Sequence, residues 1–165
     1  MRVKFLSLFA ALLLVAACES TPETADDTSG QGETLIVDEE VMVEAIDPLS
    51  QEFVDLELGG SVYFDFDSSV INADAERTIQ RWAEWMQAYP QVSVTIEGNA
   101  DERGTREYNL ALGERRAQAA KNYLIALGID PSRISTISYG KERPKVEGHT
   151  EAAWAQNRRD DLKVN

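Results

Sequence analysis

The sequence predicts an α+β fold in which strands and helices alternate along the chain. Three observations predict it: a helical apolar repeat that follows Asn72, alternating apolar residues around Val94, and a longer helical pattern from about Glu107 to Leu127. Strands that alternate with helices usually form one sheet with helices packed on it. The length of 165 residues leaves room for one such domain and additional segments.

Two short strands are predicted at the start of this domain. Apolar residues at positions 53, 54, 56 and 58 suggest a strand that ends at Gly59-Gly60. The run Ser61–Phe66 is rich in aromatic and β-branched residues and suggests a second strand. Both strands therefore precede the first helix.

The first predicted helix starts at Asn72, a residue type that caps helices, and ends before Tyr89-Pro90. Its apolar stripe, spaced by four, three and four residues, consists of Ala75, Ile79, Trp82 and Met86. We interpret the aromatic residues Trp82, Trp85 and Tyr89 as packing and rim surface, not as a platform for a sugar.

The later elements continue the alternation. Val92, Val94 and Ile96 predict a strand that ends at Gly98, and Gly128 fits the cap at the end of the second helix. The remaining predictions are a strand around Ile134, Thr136 and Ser138, a short helix capped by Thr150, and a last strand around Leu162 and Val164. The predicted order is β-α-β-α-β-(α)-β.

The N-terminus resembles a lipoprotein signal. Arg2 and Lys4 precede the apolar run Phe5–Ala17, which is shorter than the roughly 20 residues of a membrane-spanning helix. Small residues precede Cys18, the only cysteine, so we expect cleavage before it and lipid on its sulfur and amino group. The alternative is an ordinary secretory signal that happens to end in cysteine.

The net charge of the chain limits the partners that it can bind. The formal charge is −13, and removal of residues 1–17, with two positive charges and no negative ones, leaves about −15. Such a chain is a poor partner for nucleic acid or anionic lipid surfaces.

Glu19–Glu33 has no aromatic or branched aliphatic residue and is expected to be a disordered tether. We expect a signal peptide at 1–17, a lipidated tether at 18–50 and a domain at 51–165, with residues 35–50 either tether or packed on the domain.

The second predicted helix contains a charge on its apolar side. On a wheel of about 100° per residue, Asn109 and Arg116 share one line with Leu112, opposite a polar face. A buried arginine keeps its proton and needs a carboxylate partner. The sequence leaves three interpretations open: a buried salt bridge, a side chain that reaches solvent at the sheet edge, or a site open to a ligand.

The loop Gly98–Thr105 offers a partner of opposite charge at the start of the same helix. Helix N-termini favour anions through their free N–H groups. Asp101 and Arg116 would then place an acceptor and a two-pronged donor at one end of the sheet. That pair suits a zwitterion, whose carboxylate binds the guanidinium and whose ammonium binds the aspartate.

Five motifs, in this order, resemble the OmpA-like peptidoglycan-binding domain family. They are Tyr63–Asp67, Glu97–Thr105, Asn109–Ala117, Ser138–Pro144 and Asn157–Arg159. The resemblance covers about residues 52–165, and the lipid signal favours the lipoprotein members. It implies an OmpA-like β-α-β-α-β sandwich, with one mixed sheet and helices packed on one face.

The resemblance also implies a ligand, the diaminopimelate of the peptidoglycan stem peptide, and the residues that bind it. Those carried over by position are Asp101, Arg116, Asn109, Leu112, Phe66, Asp67, Asn99 and Arg158. For Arg158 the alternative is a solvated basic surface. Asn99 replaces a histidine frequent in the family, so it cannot become charged. Arg106 replaces a usual proline, which predicts a looser loop.

The family further implies an outer-membrane lipoprotein of the Tol-Pal system. It would carry N-acyl and S-diacylglycerol lipid on Cys18, no cofactor and no metal, and its domain would face the periplasm. TolB and TolA are the implied partners, TolB at a site that overlaps the peptidoglycan site, and constriction during division is the implied role.

Two other classes of function fit the sequence less well. An enzyme with Mg²⁺ at Asp65, Asp67 and Asp101 lacks further ligands, and His149 is the only histidine, so no enzyme is expected. A structural lipoprotein without a ligand would instead have Asp101 and Arg116 closed in an internal salt bridge.

Overall fold

The computed structural model describes residues 45–165, which belong to one compact unit, Met42–Asn165. The predicted signal peptide, Cys18 and the tether up to residue 44 lie outside the described residues. Within residues 45–165, no helix is long and apolar enough to cross a membrane. Among the described residues, the hydrophobic core lies within this unit.

Four strands form one mixed sheet. They are β1 (Ser61–Tyr63), β2 (Val94–Asn99), β3 (Ile134–Gly140) and β4 (Arg159–Val164), in the spatial order β1-β4-β2-β3. The last strand, β4, lies between β1 and β2 and runs antiparallel to both, while β2 and β3 are parallel. The mixed sheet confirms the predicted α+β fold.

Within the described part of the chain, residues 45–165, four helices accompany the sheet. They are α1 (Gln51–Phe53), α2 (Ala73–Ala88), α3 (Arg106–Ala126) and α4 (Glu151–Asn157); α1 continues as the π-helix Val54–Gly59, and Pro131–Arg133 is a 3₁₀ turn. The side chains of Ser50, Asn72, Thr105 and Thr150 accept hydrogen bonds from backbone N–H groups in the first turns of these helices. Asn72 and Thr150 therefore cap helices as the sequence predicts.

The strand predicted for residues 53–58 is wrong, because this segment is helical. Val54 and Leu58 are buried four residues apart, which places them on one side of a helical turn, and Leu56 between them is 65% exposed. The second predicted strand is shorter than expected. After Tyr63 the chain leaves the sheet, and Asp67 adopts a φ of 52°, outside the strand region.

The core lies between one face of the sheet and the helices α2 and α3. Val94, Ile96 and Leu162 are fully buried on that face, since alternate strand residues share one side. The indole Nε1 of Trp82 donates to the Gly59 carbonyl, and that of Trp85 donates to the Pro48 carbonyl at 2.8 Å. The helical tryptophans therefore pack, as expected, and contacts of the domain begin before residue 51.

Two glycines let α3 approach β2 closely. A Cβ atom on Gly98 would lie 2.0 Å from the carbonyl oxygen of Gly113, far inside van der Waals contact. The helix is therefore in backbone contact with the strand near the end of β2. This contact fixes which side of α3 faces the loops that follow the strands.

Candidate functional site

A cavity of about 160 Å³ lies between the N-terminal half of α3 and the loops after β1 and β2; we call it the helix-end cavity. Its lining consists of Phe66, Asp67, Asp101, Arg103, Gly104, Tyr108, Asn109, Leu112 and Arg116. Drug-sized sites usually exceed about 300 Å³, so this cavity suits one end of a side chain. Most candidates from the sequence meet here.

Arg116 is the buried charge of this cavity and has no measurable solvent exposure. Its guanidinium donates to three carbonyl oxygens, from Nε to Ser68 at 2.7 Å, from Nη1 to Asn99 at 2.9 Å and from Nη2 to Asp65 at 3.1 Å. A guanidinium has five N–H groups, so one on each Nη forms no hydrogen bond within residues 45–165.

The charge of Arg116 is not neutralised by a direct ion pair. Among the described residues, no carboxylate oxygen lies within 4.0 Å of its guanidinium nitrogens. Burial lowers the pKa of Arg116 to about 10, so the side chain remains charged at neutral pH. Asp101 and Arg116 therefore do not form the closed salt bridge required by the structural alternative.

Asp101 is buried at the edge of the cavity and is held by two arginines. Its carboxylate accepts from the backbone N–H and the Nε of Arg103, both at 3.1 Å, from Arg103 Nη2 at 2.6 Å, and from Arg158 Nη1 at 3.5 Å. Burial by itself raises the pKa of Asp101, but the hydrogen bonds and charge of Arg103, together with Arg158, outweigh burial and keep the pKa below its ordinary value. The carboxylate is ionised at neutral pH.

Arg103 covers Asp101 from the solvent side. Its guanidinium carbon lies 4.1 Å from the ring centres of both Phe66 and Trp154, an arrangement that stabilises a cation between two aromatic faces. Phe66 is 60% exposed, so this stack forms the outer rim of the cavity. Arg103 is therefore the cation that a ligand would have to displace in order to reach Asp101.

The remaining lining residues set the shape and the hydrogen-bonding of the cavity. Tyr108 donates its hydroxyl to Asp67, and this hydrogen bond raises the pKa of Tyr108. Asn109 donates to the Arg103 carbonyl at 2.9 Å, and Leu112 supplies a buried apolar wall. The Thr105 side chain caps α3 here, so the positive end of the helix dipole lies at the cavity.

Two candidates from the sequence do not line this cavity. Arg158 is buried behind it and donates to Phe64 O at 3.0 Å while pairing with Glu151 at 2.8 Å, so it is not a solvated basic surface. The Asn99 side chain donates to the Glu97 carbonyl and to Asp161, away from the cavity. Only the main-chain carbonyl of Asn99 takes part, as an acceptor for Arg116.

Sequence reasoning missed Arg103, Gly104 and Tyr108. Arg103 lies in a loop, where no periodicity indicates which way a side chain points. Tyr108 is 45% exposed on the first turn of α3, and the helical wheel does not mark it as a candidate site residue. The signal that the sequence offers for Arg103 is its position two residues after Asp101. At this spacing the aspartate side chain can accept a hydrogen bond from the backbone N–H of the arginine, as it does here.

Within residues 45–165 no group of three histidine, cysteine, aspartate or glutamate side chains is arranged to hold a metal ion. Arg106, the departure from the family's proline, begins α3 and pairs with Glu142 at 3.4 Å on the surface.

Comparison with known proteins identifies the family. The chain matches the model of the OmpA family over residues 63–158. The peptidoglycan-associated lipoprotein of Brucella melitensis is 54% identical over 110 residues, which are 67% of this chain and only 65% of that relative's length. The peptidoglycan-associated lipoprotein of Pseudomonas aeruginosa is 40% identical over 164 residues, covering 97% of this chain and 95% of the relative.

A solved structure supports the same assignment. The crystal structure of the peptidoglycan-associated lipoprotein from Burkholderia pseudomallei is 44% identical, with a TM-score of 0.66, and the match covers 72% of this chain and all of that one. These relatives are named for association with peptidoglycan and not for a reaction, in agreement with the expectation that the chain is not an enzyme. The chain therefore belongs to the OmpA family and, within it, resembles the peptidoglycan-associated lipoproteins.

Proposed function

We propose that the chain binds peptidoglycan non-covalently, through the zwitterionic end of diaminopimelate in the stem peptide. The observation that carries this proposal is Arg116, a buried and charged arginine with two unused N–H groups and no carboxylate partner among the described residues. Asp160, Asp101 and Asp67 act on this charge electrostatically but do not contact it. A buried charge without a directly bonded counter-ion costs free energy, so its retention favours a ligand carboxylate that contacts it.

The ligand carboxylate would bind at Arg116. Carbonyls already hold the guanidinium from three directions, so its fork is fixed before the ligand arrives and little side-chain entropy is lost on binding. The remaining N–H on each Nη is suited to a two-pronged contact with one carboxylate. Leu112 would contact the methylene chain that links the two ends of diaminopimelate.

The ligand ammonium would bind at Asp101 in place of Arg103. In the structure Arg103 satisfies both carboxylate oxygens of Asp101, so an ammonium must exchange with it. Arg158 would stay in place, because it is anchored independently on Phe64 and Glu151. Binding therefore involves rotation of the Arg103 side chain out of the stack of Phe66 and Trp154.

The rest of the proposal follows the family and the sequence. Lipid on Cys18 would anchor the chain in the outer membrane, and residues 18–50 would tether the domain, residues 51–165, in the periplasm. TolB and TolA are the proposed partners in the Tol-Pal system, with a role in envelope integrity and in constriction at division. The TolB contact would include the exposed rim of the same cavity, of which Phe66 is part.

Co-sedimentation with purified diaminopimelate-type sacculi tests the proposal. Residues 42–165 should pellet with sacculi, and Arg116→Leu should weaken this binding at least tenfold, because one hydrogen bond to a charged group contributes about 1.5–3 kcal/mol. Arg77→Leu is the matched control, since Arg77 is an exposed arginine on α2, away from the cavity. Circular dichroism and thermal unfolding establish that each variant is folded.

Competition identifies the recognised group. A stem peptide that contains meso-diaminopimelate should release the protein from sacculi, whereas the same peptide with lysine in that position, whose side chain ends in an ammonium without a carboxylate, should not. Equal pelleting of wild type and folded Arg116→Leu would place wall binding elsewhere on the chain. Failure of the wild type to pellet would reject the proposed function.

A further inference from the structure

A second cavity, of about 410 Å³, lies on the face of the sheet opposite α2 and α3; we call it the open-face cavity. It is lined by Asp55, Gly59, Gly60, Ser61, Tyr63, Lys145, Arg159, Asp161 and Lys163. Its floor consists of alternate residues of the paired strands β1 and β4, in which Ser61 lies opposite Asp161 and Tyr63 opposite Arg159. The π-helix Val54–Gly59 before β1 and the loop after β3 form its walls.

Arg159 is the buried charge of this cavity, with a side chain only 8% exposed. Asp161 accepts from its Nε at 3.1 Å and lies 2.9 Å from its Nη2, which donates to the Arg143 carbonyl at 3.5 Å. Its third nitrogen, Nη1, is buried and has no hydrogen-bond partner within residues 45–165. Buried N–H groups are almost always paired, with protein, water or a ligand, so this nitrogen calls for an acceptor.

Two lysines add charge that is not neutralised by direct pairing. In the described part of the chain, neither Lys145 nor Lys163 has a carboxylate oxygen within 4.0 Å. Lys145 Nζ instead lies 3.1 Å from the Tyr63 hydroxyl and 3.5 Å from Ser61 Oγ. Three cations line the cavity together with two carboxylates, so its net charge is positive on a chain whose formal charge is −13.

From this arrangement we infer that the open-face cavity binds a carboxylate next to a peptide N–H. One negative charge matches the single net positive charge, whereas a phosphate dianion would exceed it and be repelled more strongly by Asp55 and Asp161. The two lysines are donors for the carboxylate, Arg159 adds a positive charge at the floor of the cavity, and Asp55 is an acceptor for the neighbouring N–H. This site is separate from the helix-end cavity and does not depend on the wall-binding proposal.

The test is a titration of the ¹⁵N-labelled full chain, in zwitterionic detergent micelles, with N-acetylglycine, which carries one carboxylate and one peptide N–H. Backbone amide signals of Ser61, Tyr63 and Lys163 should shift and saturate with a Kd on the order of 1 mM. Lys145→Gln/Lys163→Gln should weaken binding at least fivefold, and Arg77→Gln/Arg106→Gln, the matched loss of two exposed positive charges, should not change it. Arg159 is left intact because its pair with Asp161 belongs to the sheet.

Three results would overturn the inference: equal shifts with N-acetylglycinamide, which has no carboxylate; tighter binding of inorganic phosphate than of N-acetylglycine; or unchanged binding by the double lysine variant. Arg116→Leu should leave these shifts unchanged, so failure here is distinguishable from failure of wall binding. The double lysine variant in the sacculus assay identifies the source of the carboxylate. Reduced pelleting assigns it to the wall peptide, and unchanged pelleting excludes that source.

Discussion

The helix-end cavity and the open-face cavity each contain a buried arginine, and the two arginines have different partners. Arg159 in the open-face cavity forms a two-pronged ion pair with Asp161, so most of its charge is already used within the fold. The hydrogen bonds of Arg116 in the helix-end cavity go to carbonyl oxygens, and its guanidinium lies over the Phe64 ring without a direct ion pair among the described residues. Arg159 therefore stabilises the sheet, whereas the charge of Arg116 remains available to a ligand.

This difference indicates where tight and selective binding should occur. In the helix-end cavity, the desolvation cost of the charge is met during folding, and a ligand carboxylate gains a partner in a medium of low dielectric constant. In the open-face cavity, the unpaired cations are lysines nearer to solvent, where salt screens their attraction for an anion. We therefore expect the first cavity to determine ligand identity and the second to add a weaker, salt-sensitive contact.

The largest expected effect follows from the contact that positions Arg116. Gly98→Ala would place a methyl group 2.0 Å from the Gly113 carbonyl and push α3 away from β2. We expect a loss of about 3 kcal/mol in the free energy of unfolding, the upper end for overpacked sites, with loss of sacculus binding. Urea unfolding followed by circular dichroism measures the change.

Gly128→Ala is the control for this substitution. Gly128 has a φ of 94°, yet a Cβ there would meet nothing within 4 Å, so only backbone strain of about 1–2 kcal/mol is expected. If both substitutions lowered the free energy of unfolding by the same amount, the close approach of α3 and β2 would not be what positions the residues of the helix-end cavity.

A smaller effect separates the charge of Arg116 from its geometry. Arg116→Lys retains a positive charge but cannot donate to the three carbonyls and to a ligand carboxylate at the same time. We expect sacculus binding to fall about tenfold, as for the loss of one hydrogen bond to a charged group, while the affinity of the open-face cavity for N-acetylglycine is unchanged. Wild-type wall binding by this variant would mean that charge alone is recognised.

Much of the helix-end cavity could be predicted because α3 is long and regular. A 3.6-residue period places Asn109, Leu112 and Arg116 on one line, and the structure buries all three. The pairing of Asp101 with Arg103 and Arg158 could not be predicted in this way, because loop side chains follow no period. Nor does the sequence show that Asn99 points to Asp161, since the strand changes register between Gly98 and Asn99.

The error at residues 53–58 has a related cause. Short apolar runs fit a strand and a buried helical turn equally well, and only the sheet can decide between them. In the structure Gln51 of α1 bonds to β4, donating to the Leu162 carbonyl and accepting from the Val164 N–H at 3.0 Å. The Gln51 side chain therefore bonds to backbone groups of a strand that lies more than 100 residues later in the sequence. No local sequence pattern reveals such a contact.

The smallest expected effect concerns an exposed ion pair beside Asp101. His149 Nδ1 lies 2.7 Å from Glu102, and this hydrogen bond raises the pKa of His149 above its ordinary value of 6.5. A raised pKa means that the pair stabilises the folded chain below pH 6.5 and that this contribution is lost as the pH rises through the pKa of folded His149. Since both side chains are exposed, the change in stability should be small.

NMR titration of the His149 ring protons measures this pKa directly, because the chain has a single histidine. Glu102→Gln should return the pKa to about 6.5, the value of an unperturbed histidine. Trp154 Nε1 also donates to Glu102, at 2.7 Å, so its indole N–H signal should shift over the same pH range in the wild type and not in the variant. A pKa of His149 that Glu102→Gln leaves unchanged would mean that this surface pair does not form.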